Sequence, residues 1–495
     1  MRAIAKNRFG IIVMLLGTLT SCQPAIEKPV QPNVIFILTD QWRASALGYA
    51  GDDVVQTPQL DKFAKESVNF KNAVSVLPVC TPYRASLMTG RYPTSTGMFI
   101  NDLYLPSEEL CMAEIFNDAG YTTAYLGKWH LDGHGRKDNV APDRRQGWQF
   151  WKGSECDHHY PKEHYYDNMD TTARYWDGYS TYAIAGEANR YMQQQATGQQ
   201  PFCLFVSIGT PHFPHSTAPE EFMNLYPKEK LKLPDNVPDD MKEWAYEELQ
   251  GYYAHCSATD KAIGEIIDKT KELGIYENSI IVFTSDHGEM MGSHGFRPYM
   301  KHQPYSESAN IPFLISYPGM EANKGKTAKA AITTPDILPS LLSLCKINIP
   351  ESIEGYDVSG IIKAPAKDPE RAALYMNPCP FAIAYPTNEY RAIRTASYTY
   401  VKTPAGPSML FDNQKDPTQL NNLVNQKDLA ETQNNLDEKL MKELARIGET
   451  EIKPRDYYLK KFGYYGRKEF TKTYHIVNYQ DVEVVFSPNG AFSIK

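Results

Sequence analysis

Hydrophobic positions come in three unbroken runs, each closed by a polar residue. Asn33-Val34-Ile35-Phe36-Ile37-Leu38-Thr39-Asp40 is the first. Phe202 to Ile208 is the second, closed by Gly209-Thr210-Pro211-His212. Ser279 to Phe283 is the third, closed by Thr284-Ser285-Asp286-His287-Gly288. A run without polar alternation is the pattern of a parallel strand covered on both faces. Between the runs, apolar positions recur at helical spacing over 57–66, 110–119 and 247–273, the last followed by Gly274 as a stop. This alternation predicts an α/β fold: a large, mostly parallel mixed sheet sandwiched by helices. In such sheets ligands bind beyond the carboxyl ends of the strands, so Asp40, His212 and Asp286 are predicted to converge on one edge. The pattern changes near residue 375. Residues 389–402 and 409–412 read as short strands between turns, and 427–447 as a polar amphipathic helix. The expected organisation is a catalytic α/β domain over 33–374 and a smaller antiparallel-sheet-plus-helix subdomain over 375–495.

The first residues stand outside that pattern. Arg2, Lys6 and Arg8 precede an apolar run from Phe9 to Leu19, too short for a bilayer span. Leu19-Thr20-Ser21-Cys22 resembles a bacterial lipobox. Residues 1–21 are read as a lipoprotein signal peptide, and 22–32, with Pro24, Pro29 and Pro32, as a tether. The expected address is therefore the cell envelope, periplasm or cell surface, with a lipid anchor to the membrane.

Composition narrows the function. With 42% hydrophobic residues, the 495-residue chain has material for a large core and is neither collagen-like nor disordered. Lys and Arg number 51 against 59 Asp and Glu, a net charge of −8. That lacks the basic excess of a nucleic-acid binder, so no nucleic-acid partner is expected. It still allows a basic pocket for an anionic substrate. The eight cysteines form no Cys-x-x-Cys pair, which removes zinc-knuckle and thioredoxin-like readings.

The chemistry is concentrated in Cys80-Thr81-Pro82-Tyr83-Arg84-Ala85-Ser86-Leu87-Met88-Thr89-Gly90-Arg91. A second block is Gly120-Tyr121-Thr122-Thr123-Ala124-Tyr125-Leu126-Gly127-Lys128-Trp129-His130. Together with Asp40-Gln41, Pro211-His212-Phe213-Pro214, Asp286-His287-Gly288 and Lys301-His302-Gln303-Pro304-Tyr305-Ser306-Glu307, these resemble, in order, the type I formylglycine-dependent sulfatases. That family is arylsulfatase-like and belongs to the alkaline phosphatase superfamily. The resemblance covers about residues 32 to 425 and implies an alkaline phosphatase-like fold and a sulfuric ester hydrolase.

The resemblance also implies roles. Cys80, with Pro82 at +2 and Arg84 at +4, would be converted by a formylglycine-generating, sulfatase-maturing enzyme to formylglycine. Ca²⁺ would be held by Asp40, Gln41, residue 80, Asp286 and His287. The family commonly has Asp-Asp and Asp-Asn where this chain has Asp40-Gln41 and Asp286-His287, which leaves fewer oxygens for a hard cation. Arg84 would brace the nucleophile, and Lys128 and Lys301 would neutralise sulfate oxygens. His130 would take the nucleophile's hydroxyl proton. His212, with Lys301, would protonate the leaving alcohol. The stretch 148–179 is rich in aromatic residues and either walls the pocket against a sugar or packs its own rings. His158, His159 and Arg297 are the candidate substrate contacts. The expected substrate is an O-sulfate on a sugar of a sulfated glycan. The alternatives are a phosphonate or phosphate ester hydrolase of the same superfamily, and a glycan-binding lipoprotein without catalysis.

Overall fold

The computed structural model describes residues 31–378, 381, 389–465, 484–486 and 492–494. Residues 1–30, with the expected signal peptide and Cys22, and Cys379 lie outside the described residues. Each of the three apolar runs is a buried strand: Asn33–Asp40, Phe202–Pro211 and Ser279–Ser285. They sit in a ten-stranded sheet whose order is Thr327–Ala328, Val68–Phe70, Phe313–Ser316, Ser279–Ser285, Asn33–Asp40, Phe202–Pro211, Thr122–Lys128, Phe150–Ser154, His164–Asp167 and Arg174–Tyr175. The five strands from Ser279–Ser285 to Phe150–Ser154 are parallel, and antiparallel pairs flank them on both sides. The sheet is thus mixed and mostly parallel at its centre.

Register across the centre is marked by a row of rings. Phe36 pairs with Phe205, Phe205 with Tyr125 and Tyr125 with Trp151. Their centroids are 4.9, 5.1 and 5.2 Å apart, and all three contacts are stacked. Aromatic contacts of this kind add about 0.5–1.5 kcal/mol each beyond area burial. A one-residue slip would turn every ring to the opposite face of the sheet. With this register, Asp40 and Lys128 finish their strands at the same edge, and a shift between Thr39 and Asp40 sets Asp40 opposite Pro211.

Helices Ser180–Gln195 and Asp239–Glu272 cover one face through Ile184, Ala188, Leu249 and Ile263 against Ile35, Leu204 and Phe283. The second of these begins earlier than the apolar spacing from residue 247 suggests. Pro238 precedes it, and Asp239 and Asp240 favour the positive end of the helix dipole. The other face carries the ring row, the helix Cys80–Thr89 and a four-stranded antiparallel sheet, Ala373–Asn377, Tyr390–Arg394, Tyr398–Thr403 and Gly406–Asp412. Helix Ala430–Arg446 packs Leu436, Leu440 and Leu444 into the same core as Leu374, Met376 and Ile393. The strand Ala373–Asn377 straddles the expected division at 374/375: Leu374 and Met376 are part of the main core, while Ala373 and Tyr375 join a smaller cluster with Tyr390, Ala392 and Val401. No helix among the described residues is long and apolar enough to cross a membrane.

Candidate active site

Four strand ends, those of Asn33–Asp40, Thr122–Lys128, Phe202–Pro211 and Ser279–Ser285, and one helix start meet at the carboxyl edge of the sheet. Asp40 ends its strand, and Asp286 and His287 follow Ser285. Cys80 is the first residue of helix Cys80–Thr89, every residue of which is buried. Its N-cap, Val79, offers no side-chain cap; the Thr81 N–H is capped instead by Asn101 Oδ1 at 3.1 Å, and the positive end of the helix dipole favours negative charge at residue 80. Arg84 lies one turn on, on the same helix face as Cys80.

Asp40, Cys80, Asp286 and His287 present one ligand atom each within 4.8 Å of one another. Cys80 Sγ is 3.3 Å from His287 Nε2 and 3.6 Å from Asp40 Oδ1. His287 Nδ1 lies 3.0 Å from the Gly288 carbonyl, so Nδ1 carries the hydrogen and Nε2 presents a lone pair. That lone pair faces Asp40 Oδ1 at 3.6 Å and Asp286 Oδ1 at 3.5 Å. Lone pair against carboxylate is repulsive unless positive charge lies between them. Burial and the charge of Asp40 push the Asp286 carboxyl up to about 7. Burial opposes ionisation of Asp40 too, but the charges of Lys128 and Arg84 hold it well below the usual carboxylate range. Two buried carboxyl groups, an imidazole nitrogen and residue 80 form a donor set suited to a divalent cation.

Gln41, at φ 65°, is built differently from that set. Its side-chain oxygen accepts from Lys301 Nζ at 3.1 Å, and its Nε2 donates to Glu289 and to the Tyr299 carbonyl. The side-chain amide thus links Lys301 to Glu289, while the backbone N–H donates to Asp286 Oδ1 at 3.0 Å.

Cations surround Cys80. Lys128 Nζ is 3.8 Å and Lys301 Nζ 3.6 Å from Sγ. Lys128 also pairs with Asp40 Oδ2 at 2.6 Å. Burial opposes its charge, and Asp40 more than restores it. Arg84 reaches Asp40 at 3.2 Å and Asp286 at 3.4 Å, and donates to Ser207 Oγ at 2.7 Å. Burial and Asp40 raise the Cys80 thiol to about 12, against Lys128 and Lys301, so the unmodified residue is a poor nucleophile.

His212 stands behind Lys301, with Nε2 3.2 Å from its Nζ and Nδ1 2.8 Å from the Phe213 carbonyl. Nδ1 therefore donates, and Nε2 accepts from the ammonium. Burial, His158 and Lys301 hold His212 well below the usual histidine range. His212 is thus the neutral acceptor that faces Lys301. His130 is buried and sits 2.9 Å from Asp102 through Nε2.

Of the three candidate substrate residues, His158 alone makes described contacts with this centre. Its ring stacks on His212 at 4.1 Å, and its Nε2 is 3.4 Å from Lys128 Nζ. His159 and Arg297 are exposed: the first donates its backbone N–H to Asp157, and the second lies over Trp244 at 6.0 Å. The aromatic stretch 148–179 mostly packs inward. Trp148 and Trp151 join the ring row, Trp176 stacks on Tyr165, and Tyr160 donates to the Gly209 carbonyl. Asp102, Ser207 and Glu289 are partners the sequence reading missed. The available signals were one serine in the apolar run Phe202-Cys203-Leu204-Phe205-Val206-Ser207-Ile208 and an Asn-Asp pair inside Phe99-Ile100-Asn101-Asp102-Leu103.

Comparison with known proteins agrees with this geometry. The sulfatase family profile matches residues 32–347, and that of the C-terminal region of N-sulphoglucosamine sulphohydrolase matches residues 292–446. An ulvan-active sulfatase of Formosa agariphila is 55% identical, across 92% of this chain and 90% of its own. An endo-4-O-sulfatase of Bacteroides thetaiotaomicron is 31% identical, across 80% and 89%. A solved Bacteroides thetaiotaomicron structure from work on its metabolism of multiple glycosaminoglycans is 28% identical with TM-score 0.76, covering 87% of this chain and 98% of its own.

Proposed function

The chain belongs to the sulfatase family and is a sulfuric ester hydrolase, and on that premise we propose that it removes O-sulfate from a sugar of a sulfated polysaccharide. Ulvan is the first candidate, from the name of the 55% identical relative. The reading is carried by one observation: Lys128, Lys301 and the Asp40–Asp286 pair converge around the single side chain of Cys80.

In this family formylglycine, made from the cysteine, supplies a hydrated aldehyde as nucleophile, and a divalent cation, Ca²⁺ in this reading, supplies charge at the sulfate oxygens. Asp40, Asp286 and His287 would hold the cation beside residue 80. Lys128 and Lys301 bind two sides of the sulfate, and Arg84 keeps both carboxylates aimed by bridging them. Lys301 delivers a proton to the leaving sugar oxygen, with His212 as the neutral group that orients it. His130 accepts the proton of the residue-80 hydroxyl. Export and anchoring through Cys22 belong to the same proposal, because a polysaccharide of polymer size is met outside the cell.

The test is release of inorganic sulfate from ulvan oligosaccharides, alongside mass analysis of the peptide that contains residue 80. The expected result is an aldehyde in place of the Cys80 thiol in active enzyme, and no turnover by Cys80→Ala. Full activity with an unmodified thiol would overturn the formylglycine assignment, and no sulfate release from any sulfated saccharide would overturn the substrate class.

A further inference from the structure

We propose that Asp102 is a positioning residue that fixes the tautomer of His130, leaving its Nδ1 lone pair free to act as a base. The purpose of that base rests on the function proposed above, whereas the tautomer itself follows from the surroundings of His130.

Asp102 is 1% exposed in a loop whose neighbours Phe99, Ile100 and Leu103 belong to the core. Arg136 grips it with both arms, Nε to Oδ1 and Nη2 to Oδ2, each at 2.8 Å. A guanidinium only donates, so both oxygens must accept, and the carboxyl is ionised. His130 Nε2 lies 2.9 Å from Oδ1. Facing an acceptor, Nε2 must carry a hydrogen. Burial and Lys128 push His130 down to about 3, so the ring is neutral and has one N–H to give. Nδ1 is then bare, and it is buried with no hydrogen-bond partner among the described residues.

The backbone is pinned to the same end. Thr81 Oγ1 accepts from the Asp102 N–H at 3.0 Å and donates to the His130 carbonyl at 3.0 Å, while the Thr81 N–H donates to Asn101 Oδ1 at 3.1 Å. The residue next to Cys80 thus ties Asp102 and His130 to the helix start. Both residues sit in the left-handed region, at φ 58° and 59°, a conformation that persists only where surroundings over-determine it. A lone pair in that setting takes a hydroxyl proton. The other tautomer would present an N–H and could not.

The tautomer can be read in the full-length Cys80 form, before any maturation, by nitrogen-15 NMR of histidine-labelled protein, with His130 assigned from its loss in His130→Gln. The expected wild-type state is Nε2–H with bare Nδ1. In Asp102→Asn, whose amide NH₂ can donate to Nε2, the hydrogen should move to Nδ1. Nδ1–H in the wild type, or an unmoved tautomer in a folded Asp102→Asn, overturns the proposal. If that variant does not fold, the wild-type tautomer alone decides.

In matured enzyme with 4-nitrophenyl sulfate, Asp102→Asn should lose about 10²–10⁴-fold in kcat with KM little changed. Arg136→Gln keeps the carboxylate and should lose less than about tenfold. Equal losses in the two variants, or a loss expressed in KM, overturns the positioning role. A wild type that cleaves no sulfate ester instead overturns the functional reading and leaves the tautomer result standing.

Discussion

His287 sets what the proposed cation pocket asks for. Its Nε2 is an imidazole donor in a position where the family commonly places an amide oxygen, and the Gln41 oxygen beside it serves Lys301. Two carboxylates and a nitrogen suit a borderline cation better than a set of hard oxygens does. Chelated enzyme should therefore recover with Mn²⁺ as well as with Ca²⁺, and His287→Asn should shift the ratio of affinities toward Ca²⁺ by on the order of tenfold. Titrating each metal into chelated wild type and variant by calorimetry checks this. Recovery with Ca²⁺ alone, and a variant with unchanged ratios, would refute it. The Lys301–His212 pair makes a second residue-scale prediction. Expelling a sugar alkoxide needs a proton, whereas a nitrophenolate leaves with little help. His212→Ala and Lys301→Ala should each depress kcat/KM on a sugar sulfate by about 10²–10⁴-fold, and far less on nitrophenyl sulfate. Equal losses on both substrates would leave the pair a binding role only.

At the scale of elements, the strand Thr122–Lys128 depends on one close approach. Gly127 has φ 92°, and a Cβ there would meet the Ser207 carbonyl oxygen at 2.0 Å. The neighbouring strand supplies Ser207 for Arg84, and the next residue is Lys128, so strand spacing and the lysine proposed to bind sulfate share this point. Gly127→Ala should cost on the order of 2–4 kcal/mol and lower activity, from strain and backbone clash together. Gly120→Ala is the control, since Gly120 also has positive φ (86°) but nothing within 4 Å. Similar falls in thermal midpoint for the two would reject the close-approach argument. This contact was not legible in the sequence. The strands were, because covered parallel strands leave unbroken apolar runs, and the strand-end residues Asp40 and Asp286 came with them. Partners that meet only through the fold were not. Asp102 reaches His130 across 28 positions, and Ser207 reaches Arg84 across 123. The aromatic stretch was ambiguous for a related reason: Trp151 and Tyr160 carry the composition of a sugar wall, but their burial is decided by neighbouring strands.

At the scale of the whole molecule, buried ionisable groups other than the proposed cation ligands pull stability in opposite directions with pH. Burial is the first cause in each case. His130, His255 and His302 are pushed down to about 3. Glu155 and Glu163 are pushed up to about 8, and Asp260 to about 7. For the histidines, the unfolded chain takes up protons below about 6.5 and the folded chain does not, so their contribution is lost as pH falls from about 6.5 toward 3. For the carboxyl groups, the unfolded chain gives up protons above about 4 and the folded chain keeps them, so stability is lost as pH rises from about 4 to 8. Between about 4.5 and 6.5 the two sets oppose each other. Above about 6.5 only the carboxyl groups remain, each costing up to about 1.4 kcal/mol per pH unit. Chelated protein should therefore be most stable between about pH 5 and 6.5 and should weaken toward pH 8. Asp286 adds to that fall, because burial and Asp40 raise it to about 7 and a bound cation stabilises its ionised form. The gain in thermal midpoint on adding metal should thus grow from about pH 5 to pH 8 and shrink at lower pH, where protons compete for the carboxylates. Thermal melts of chelated and metal-loaded protein across pH 4–9 measure both trends. A chelated protein that grows more stable from pH 7 to 9, or a metal gain that is flat across the range, would show that these buried groups do not govern its stability.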